Sequence, residues 1–162
     1  MEILEIQDLI PPALEPKRAH RWIIEWAGIN AFQCKTFGRP SGSFGEIVID
    51  YINTKRYWQG KWEWKQLTLG LVDYIAPSAA QKCMEWIRLG YENVTGRAGY
   101  KEFYAAKNFK LKVLDPAGAV IERWDFFNIF PVDLDNGGLD YSSAEPLMCN
   151  VTLRFDIAVG QH

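Results

Sequence analysis

Residue types that commonly carry out chemistry are few and widely spaced in this sequence. Histidine occurs only at His20 and His162, so a catalytic triad or a metal site built on histidine is hard to assemble. Cys34, Cys83 and Cys149 lack the paired spacing that zinc sites and redox pairs use. We therefore expect reduced and mainly buried cysteines, no resident metal or cofactor, and no enzymatic activity.

An acidic segment, residues 132–145, begins like a calcium-binding loop. Its acidic residues are Asp133, Asp135, Asp140 and Glu145, and it contains no basic residue. A calcium loop that starts at Asp133 needs oxygen ligands at its fifth and twelfth positions, but Gly137 and Ala144 stand there. We therefore predict solvated carboxylates rather than a calcium site. No glycine-rich loop with a following Lys-Ser or Lys-Thr is present to bind phosphate.

A second segment, residues 53–65, interleaves basic and aromatic residues. Its members are Lys55, Arg56, Tyr57, Trp58, Lys61, Trp62, Trp64 and Lys65, with Glu63 as the one acid. Cations that contact phosphates and flat rings that stack on bases are typical of a groove for single-stranded nucleic acid. The alternative is a hairpin whose Trp62 and Trp64 face the core. We place Tyr57 and Trp58 in its connecting loop, where adjacent large aromatics indicate an interface anchor.

Opposite charges on these two segments suggest a contact between identical subunits. A head-to-tail contact joins different patches of the same chain, and complementary charge favours it. Unrelated solvated loops remain the alternative. The candidate interface residues are Lys55, Arg56, Tyr57, Trp58, Asp133, Asp135, Asp140 and Glu145.

Composition limits the class of protein that these segments belong to. The 162 residues are 48% hydrophobic and 23% charged, with a net charge of −2, which is typical of one globular domain without a basic footprint for nucleic acid. Aromatic residues make up 14%, which suits a β-rich protein with interfaces. We expect neither a secretory signal peptide nor a membrane span.

The strongest strand signal is the run from Leu147 to Val159, in which every odd position is apolar. Because successive side chains on a strand point to opposite faces, this pattern predicts one long strand with a buried odd face. The free energy gained by burying its apolar side chains nearly equals the free energy lost by ordering its backbone. Such a strand therefore needs neighbours on both edges.

The other predicted elements supply those neighbours. We expect one helix at residues 77–90, where Ala79, Cys83, Trp86, Ile87 and Gly90 share a face. The predicted strands cover residues 21–26 and 32–37 as a hairpin, 45–52, 61–73, 109–113 and 120–130. The alternation slips at Lys65-Gln66, which predicts a bulge or a sharp bend. Residues 53–60, 91–106 and 132–146 are expected to be loops.

Prolines 11, 12 and 16 predict an extended N-terminal arm at residues 1–19, followed by a single domain at residues 20–162. The predicted fold class is mainly β. It consists of two packed antiparallel sheets, arranged as a sandwich or barrel and flanked by the helix.

The order of several short motifs resembles that of the tail tube proteins of contractile-tailed bacteriophages. These motifs are Phe32-Gln33-Cys34-Lys35 with a proline-containing loop, Tyr51-Ile52-Asn53 with Lys55 and Gly60, Gln81-Lys82 with Trp86, and Pro131 before a strand through Leu153 and Phe155. The resemblance covers roughly residues 20 to 158. The proline-rich arm and the segment from Trp58 to Trp64 depart from the family pattern.

The resemblance implies a fold similar to the haemolysin-coregulated tube protein of type VI secretion. It implies a structural virion protein whose six-membered rings stack into the inner tail tube, assembled in the host cytoplasm. Its partners would be further copies of itself, the surrounding sheath, and baseplate and terminator proteins at the tube ends. DNA would pass through the lumen without sequence-specific binding, and no membrane would be involved.

In such a tube the even face of the last strand becomes a candidate lumen wall, with Asn150, Thr152, Arg154 and Asp156. We expect a neutral or acidic lumen, because a cationic wall would retard DNA. An ordinary outer surface is the alternative for this face. Alternative functions are a single-stranded nucleic-acid-binding barrel, a tube initiator or terminator, or a tube subunit of a related contractile injection system.

Overall fold

The computed structural model describes residue 10 and residues 13–162. These residues form ten strands, two α-helices and a 3-10 helix. The strands are β1 (Trp22–Glu25), β2 (Cys34–Thr36), β3 (Gly42–Tyr51), β4 (Thr54–Trp64), β5 (Leu67–Val72), β6 (Phe109–Leu114), β7 (Val120–Phe127), β8 (Phe130–Asp135), β9 (Met148–Arg154) and β10 (Ile157–Gln161). The helices are α1 (Ala79–Gly90) and α2 (Lys101–Tyr104), and the 3-10 helix is Ala31–Gln33.

The strands form two four-stranded sheets and one separate hairpin. The first sheet has the order β1-β6-β7-β10, and the second has the order β2-β5-β9-β8. The hairpin consists of β3 and β4 alone. Every pair is antiparallel. The predicted fold class, mainly β with packed antiparallel sheets and a flanking helix, is confirmed.

The core lies between the inner faces of the two sheets. Alternate residues of β6, together with Phe126 of β7, are buried from the first sheet, and alternate residues of β5 and β9 are buried from the second. Phe126 and Phe155 bring the two sets together, with ring centroids 5.0 Å apart. The buried core residues with no more than 3% exposure include Leu69, Leu71, Phe109, Leu111, Val151 and Leu153.

Helix α1 covers part of this core with the face that the sequence predicts. Ala79, Cys83 and Trp86 are buried, and the indole nitrogen of Trp86 donates a hydrogen bond to the Tyr104 backbone oxygen at 2.6 Å. Ser78 caps the helix, since its hydroxyl accepts a hydrogen bond from the Gln81 backbone N–H. The helix therefore begins two residues later than predicted, and α2 is one further turn within a predicted loop.

The prediction of one continuous strand from Leu147 to Val159 is wrong. The chain leaves the second sheet after Arg154 and enters the first sheet at Ile157. At the bend, the Asp156 backbone N–H donates to the Phe127 carbonyl at 3.1 Å. The crossing reverses the buried face, so that Ile157 is 54% exposed while Ala158 is buried. Strands that bend between sheets close the corner of a sandwich.

The predicted loop at residues 53–60 is also wrong, because Thr54–Trp64 is a continuous strand. The turn is only Ile52-Asn53, and Ile52 has a left-handed φ of 50°. The predicted bend at Lys65-Gln66 is confirmed, since β4 ends at Trp64 in the hairpin and β5 begins at Leu67 in the second sheet.

Two further predictions are corrected by the strand pairing. β1 pairs with β6 and β2 pairs with β5, so the expected hairpin of residues 21–37 does not form. Pro131 does not end its strand, because β8 runs from Phe130 to Asp135 at the edge of the second sheet. An edge strand tolerates the missing N–H of proline. Most of the predicted N-terminal arm, residues 1–9, 11 and 12, lies outside the described residues.

Candidate assembly interface

The β3–β4 hairpin exposes large apolar side chains on both of its faces. Residues that are directly opposite on an antiparallel pair share a face. Ile47 pairs with Trp58 on one face, and Val48 pairs with Tyr57 on the other. These four side chains are 47–65% exposed. An isolated two-stranded hairpin is marginally stable in water, so this arrangement indicates a hairpin that is covered by another surface.

Aromatic rings connect the base of the hairpin to the core. Phe44 lies 4.8 Å from Trp62, and Trp62 lies 5.3 Å from Trp64, measured between ring centroids. Trp64 then contacts Phe155 at 5.6 Å. The sequence-based alternative in which both Trp62 and Trp64 face the core is therefore half right. Trp64 packs against the core, while Trp62 is 43% exposed.

The basic character of the hairpin is balanced within the hairpin itself. Lys55, Arg56 and Lys61 lie on β4, and the carboxylates of the hairpin are Glu46, Asp50 and Glu63. Three cations and three carboxylates leave no net charge. Asp50 is directly opposite Lys55, and the Arg56 guanidinium lies 5.2 Å from the centre of the Tyr51 ring. The excess of cations in residues 53–65 is thus a property of one strand.

The acidic candidates occupy two kinds of structure. Asp133 and Asp135 lie on the edge strand β8, whereas Asp140 and Glu145 lie in the loop that follows it. All four are exposed. Asp140 accepts hydrogen bonds from the Ser142 N–H and hydroxyl at 2.9 and 2.8 Å. These hydrogen bonds lower the pKa of Asp140 and favour its charged form.

The structure does not bring the two sets of interface candidates together within one chain. Across residue 10 and residues 13–162, no ion pair includes Lys55, Arg56 or any of the four acidic candidates. Their role in contacts between subunits stays a prediction.

Three of the four lumen candidates share the outer face of the second sheet. Asn150 and Thr152 are opposite Gly70 and Thr68 on β5, which makes this part of the face small and polar. Arg154 contacts Glu63 at 3.3 Å. Asp156 lies in the bend instead, where it accepts hydrogen bonds from Lys101 at 2.6 Å and Asn128 at 3.0 Å. The assignment of these residues to a lumen stays a prediction.

Sequence reasoning predicted the strand β3 but did not name its apolar residues, Ile47-Val48-Ile49, as interface candidates. A short run of consecutive apolar residues signals a strand that is covered on both faces. It also did not name Thr68 and Gly70 as candidates for the lumen face. The alternation of Leu67, Leu69 and Leu71 on β5 does place these two residues on the face opposite the core.

Reactive side chains are not clustered in the described part of the chain. It contains no group of three or more His, Cys, Asp or Glu residues placed to hold a metal ion. His20 and His162 are both exposed. Cys83 and Cys149 are buried free thiols, and burial raises the pKa of Cys83 to about 12. The described residues also contain no helix with the length and apolar character to cross a membrane.

The sequence matches no protein-family model and no curated protein. Solved structures, however, share its fold. One is a cryo-EM structure of an extracellular contractile injection system, the PVC sheath/tube terminator in the extended state. It is 16% identical with a TM-score of 0.72, covering 93% of this chain and 100% of the other. Another is the PVC sheath-tube complex in the extended state, which is 18% identical with a TM-score of 0.64 and covers 92% and 93% of the two chains.

The chain has the tail-tube fold. Hcp1 from Flavobacterium johnsoniae extends the likeness to the type VI protein that the sequence suggested. It is 11% identical with a TM-score of 0.50, and the match covers 86% of this chain and 94% of that one. The tail-tube resemblance inferred from sequence is confirmed at the level of the fold.

Proposed function

We propose that this chain is a structural subunit of the inner tube of a contractile injection particle. In this proposal it assembles into rings of six that stack into a hollow tube, inside a sheath and between baseplate and terminator proteins. The tail-tube fold supports the class of machine. The observation that carries self-assembly is the hairpin, whose two apolar faces have no cover among the described residues of the chain itself.

A second copy is the cover that suits this hairpin best. Large aromatic residues dominate the binding energy of protein interfaces when they are buried at the centre. Tyr57 is 65% exposed and Trp58 is 48% exposed, on opposite faces of the hairpin. We assign one face to a contact within a ring and the other to a contact between rings, so that each hairpin lies between two neighbours.

The outer face of the second sheet is the wall that we propose for the lumen. Its polar residues Thr68, Asn150 and Thr152 are uncharged, and its cation Arg154 is paired with Glu63. Asp133 and Asp135 extend the same face at the β8 edge. A neutral to acidic wall does not bind phosphates, so DNA of a phage would pass without being retained. The same wall suits other cargo of a related injection particle.

The proposal gives the chain a mechanical role without catalysis. Its support is the placement of the groups that usually act as nucleophiles and bases. The Cys83 and Cys149 thiols are buried with raised pKa values, and both histidines lie exposed near the ends of the described chain.

Replacing the hairpin aromatics tests the proposal. The double variant Tyr57→Ala with Trp58→Ala removes apolar area that only assembly buries. We expect the critical concentration for assembly to rise at least thirtyfold, equivalent to about 2 kcal/mol for hot-spot residues. Sedimentation of purified protein over a concentration series measures it, and circular dichroism checks that the monomer remains folded.

The matched control is Tyr57→Phe with Trp58→Phe, which keeps most of the apolar area. It should assemble close to the wild-type level. If the alanine variant assembled as well as the wild type, the hairpin would not be the self-association surface and the proposal would lose its main support.

A tube terminator is the second candidate function. The structure with the TM-score of 0.72 is that of a sheath/tube terminator. A terminator would give single rings that bind the end of a tube, whereas a tube subunit would give long stacks. The net charge of zero on the hairpin gives no support to the single-stranded nucleic-acid alternative, which predicts salt-sensitive binding of oligonucleotides in a gel shift.

A further inference from the structure

A cleft with a cationic rim opens between β1, β6 and the segment after β2. Lys17, Arg18 and Arg39 line its rim, and its volume is about 280 Å³. Its floor is apolar and consists of Trp22, Phe37, Leu111 and Val113. The three rim cations are 46–64% exposed, so solvent or a partner can reach them.

The carboxylates around this cleft do not balance its cations. Glu122 is 1% exposed and accepts a hydrogen bond from Lys17 at 2.5 Å, with Arg39 at 3.6 Å. Glu15 contacts both Arg18 at 3.5 Å and Arg21 at 3.3 Å. Among the described residues, four cations therefore share two carboxylates, which leaves a net charge of +2. The hairpin has no such excess, although its β4 strand alone appears basic in the sequence.

The acidic loop at residues 136–147 has the complementary chemistry. Leu139 and Tyr141 are the most exposed of its large side chains, at 86% and 113%. Asp140 lies between them, and Glu145 follows in the same loop. A segment that combines apolar side chains with carboxylates fits an apolar floor inside a cationic rim. None of these loop residues lines the cleft of its own chain.

We propose that the cleft binds the acidic loop of a second copy of this chain. Leu139 or Tyr141 enters the cleft, and Asp140 contacts Arg18 or Arg39 at the rim. This contact joins different patches of identical subunits and is therefore head-to-tail, as ring closure requires. It rests on the proposed self-assembly but adds an interface that is separate from the hairpin.

Crosslinking between two different variants tests this contact. One variant carries Ala19→Cys in the cleft lining and the other carries Gly138→Cys beside Leu139, and the two are mixed before assembly and treated with a short bismaleimide. These substitutions keep all the charges of the contact. Because each chain has only one of the two new cysteines, a crosslink between positions 19 and 138 is necessarily between copies. We expect this crosslink in assembled material, with at least a tenfold lower yield in dilute protein that has not assembled.

The matched control replaces Gly138→Cys with Thr95→Cys, an exposed position in another loop, and should give little crosslink to position 19. Wild-type protein with the reagent reports any reaction of the native cysteines. Normal assemblies without the 19–138 crosslink overturn the cleft proposal and leave the proposed function standing. The same result is expected if residues 1–9, which contain three carboxylates, occupy the cleft instead of the acidic loop. Failure of the wild type to assemble contradicts the proposed function instead.

Discussion

Glu122 is a buried carboxylate that is held by groups from distant parts of the chain. Lys17 and the Trp124 indole N–H both donate to it at 2.5 Å, and Arg39 and His162 lie at 3.6 and 4.0 Å. Burial alone would raise the pKa of Glu122, but the hydrogen bonds from Lys17 and Trp124, with the charges of Lys17 and Arg39, outweigh burial and lower the pKa. The charged form therefore stabilises the fold.

We predict that Glu122→Gln lowers the free energy of unfolding at pH 7 by about 1.5–3 kcal/mol, the range for hydrogen bonds to a charged group. A lowered pKa means that the unfolded chain takes up this proton first as the pH falls. The stabilisation is thus fully present above the unfolded value of about 4.5 and is lost as the pH falls through the folded pKa. Urea unfolding of both proteins at pH 7 and at pH 3 measures the difference.

The exposed substitution Glu145→Gln serves as the control and should change the unfolding free energy by less than about 0.5 kcal/mol. A loss in the Glu122→Gln variant that stays constant from pH 7 to pH 3 would contradict the electrostatic explanation.

Single residues show how far the sequence alone could be interpreted. The burial of Cys83 and Cys149 was predictable, because each lies on an apolar face within a periodic pattern. The partners of Glu122 were not, since Lys17 is 105 residues away in sequence. The sequence placed Arg154 and Asp156 on one face of a single strand, but Asp156 lies in a bend and pairs with Lys101, while Arg154 pairs with Glu63.

The hairpin depends on a close approach of its two backbones near its bulge. The pairing shifts between Phe44 and Glu46, and a Cβ added at Gly60 would lie 2.7 Å from the Gly45 carbonyl oxygen. Such a contact forces the backbone to move, because an atom of the main chain cannot rotate away. Gly60 is therefore required by space rather than by its φ angle.

We predict that Gly60→Ala distorts the hairpin and impairs assembly, raising the critical concentration about tenfold or more. The unfolding free energy of the monomer should change little, by about 1 kcal/mol or less, because the hairpin lies outside the two packed sheets. Sedimentation and urea unfolding give the two quantities.

Gly45→Ala is a matched control on the facing strand, since a Cβ there would lie 4.0 Å from its nearest neighbour, the Lys61 carbonyl oxygen. It should assemble nearly normally. If the Gly60→Ala and Gly45→Ala variants had the same critical concentration, the close approach of the two backbones at Gly60 would have no role in the contact between subunits.

The sequence predicted the elements that bury one face against the core. It did not predict a strand that lies outside the core or a strand that bends from one sheet into the other. The α1 face and the alternation on β6 follow from burial on one side. The apolar residues of segment 53–60 do not alternate, so the sequence predicts a loop there. The structure has a strand instead, and both faces of this part of β4 lie outside the core. The predicted final strand is interrupted by the bend at Phe155-Asp156. The apolar alternation of the sequence continues to Val159, but the burial of the odd positions ends at Phe155.

Strand pairing across the whole molecule goes beyond local sequence patterns. The sandwich places β1 beside β6 and β10 beside β7, so that both ends of the described chain join the first sheet. Alternation identifies two faces of a strand but not the neighbour on its edge. The order of motifs along the chain did indicate the fold family, because that order reflects the complete topology.

At this scale we propose two distinct surfaces for self-association. The hairpin has exposed apolar side chains and no net charge, whereas the cleft and the acidic loop carry opposite charges. An apolar contact supplies affinity, while complementary charge mainly sets orientation and rate of association. In the proposed assembly, the two contacts together would give each subunit one orientation.

Electron microscopy of the purified wild-type chain, over a range of concentrations, tests the central claim most directly. The tail-tube account predicts rings with six-fold symmetry that stack into hollow tubes as concentration rises, with the small polar face of the second sheet lining the bore. Protein that remains monomeric at every concentration, or rings whose bore is lined by lysine and arginine, would contradict it.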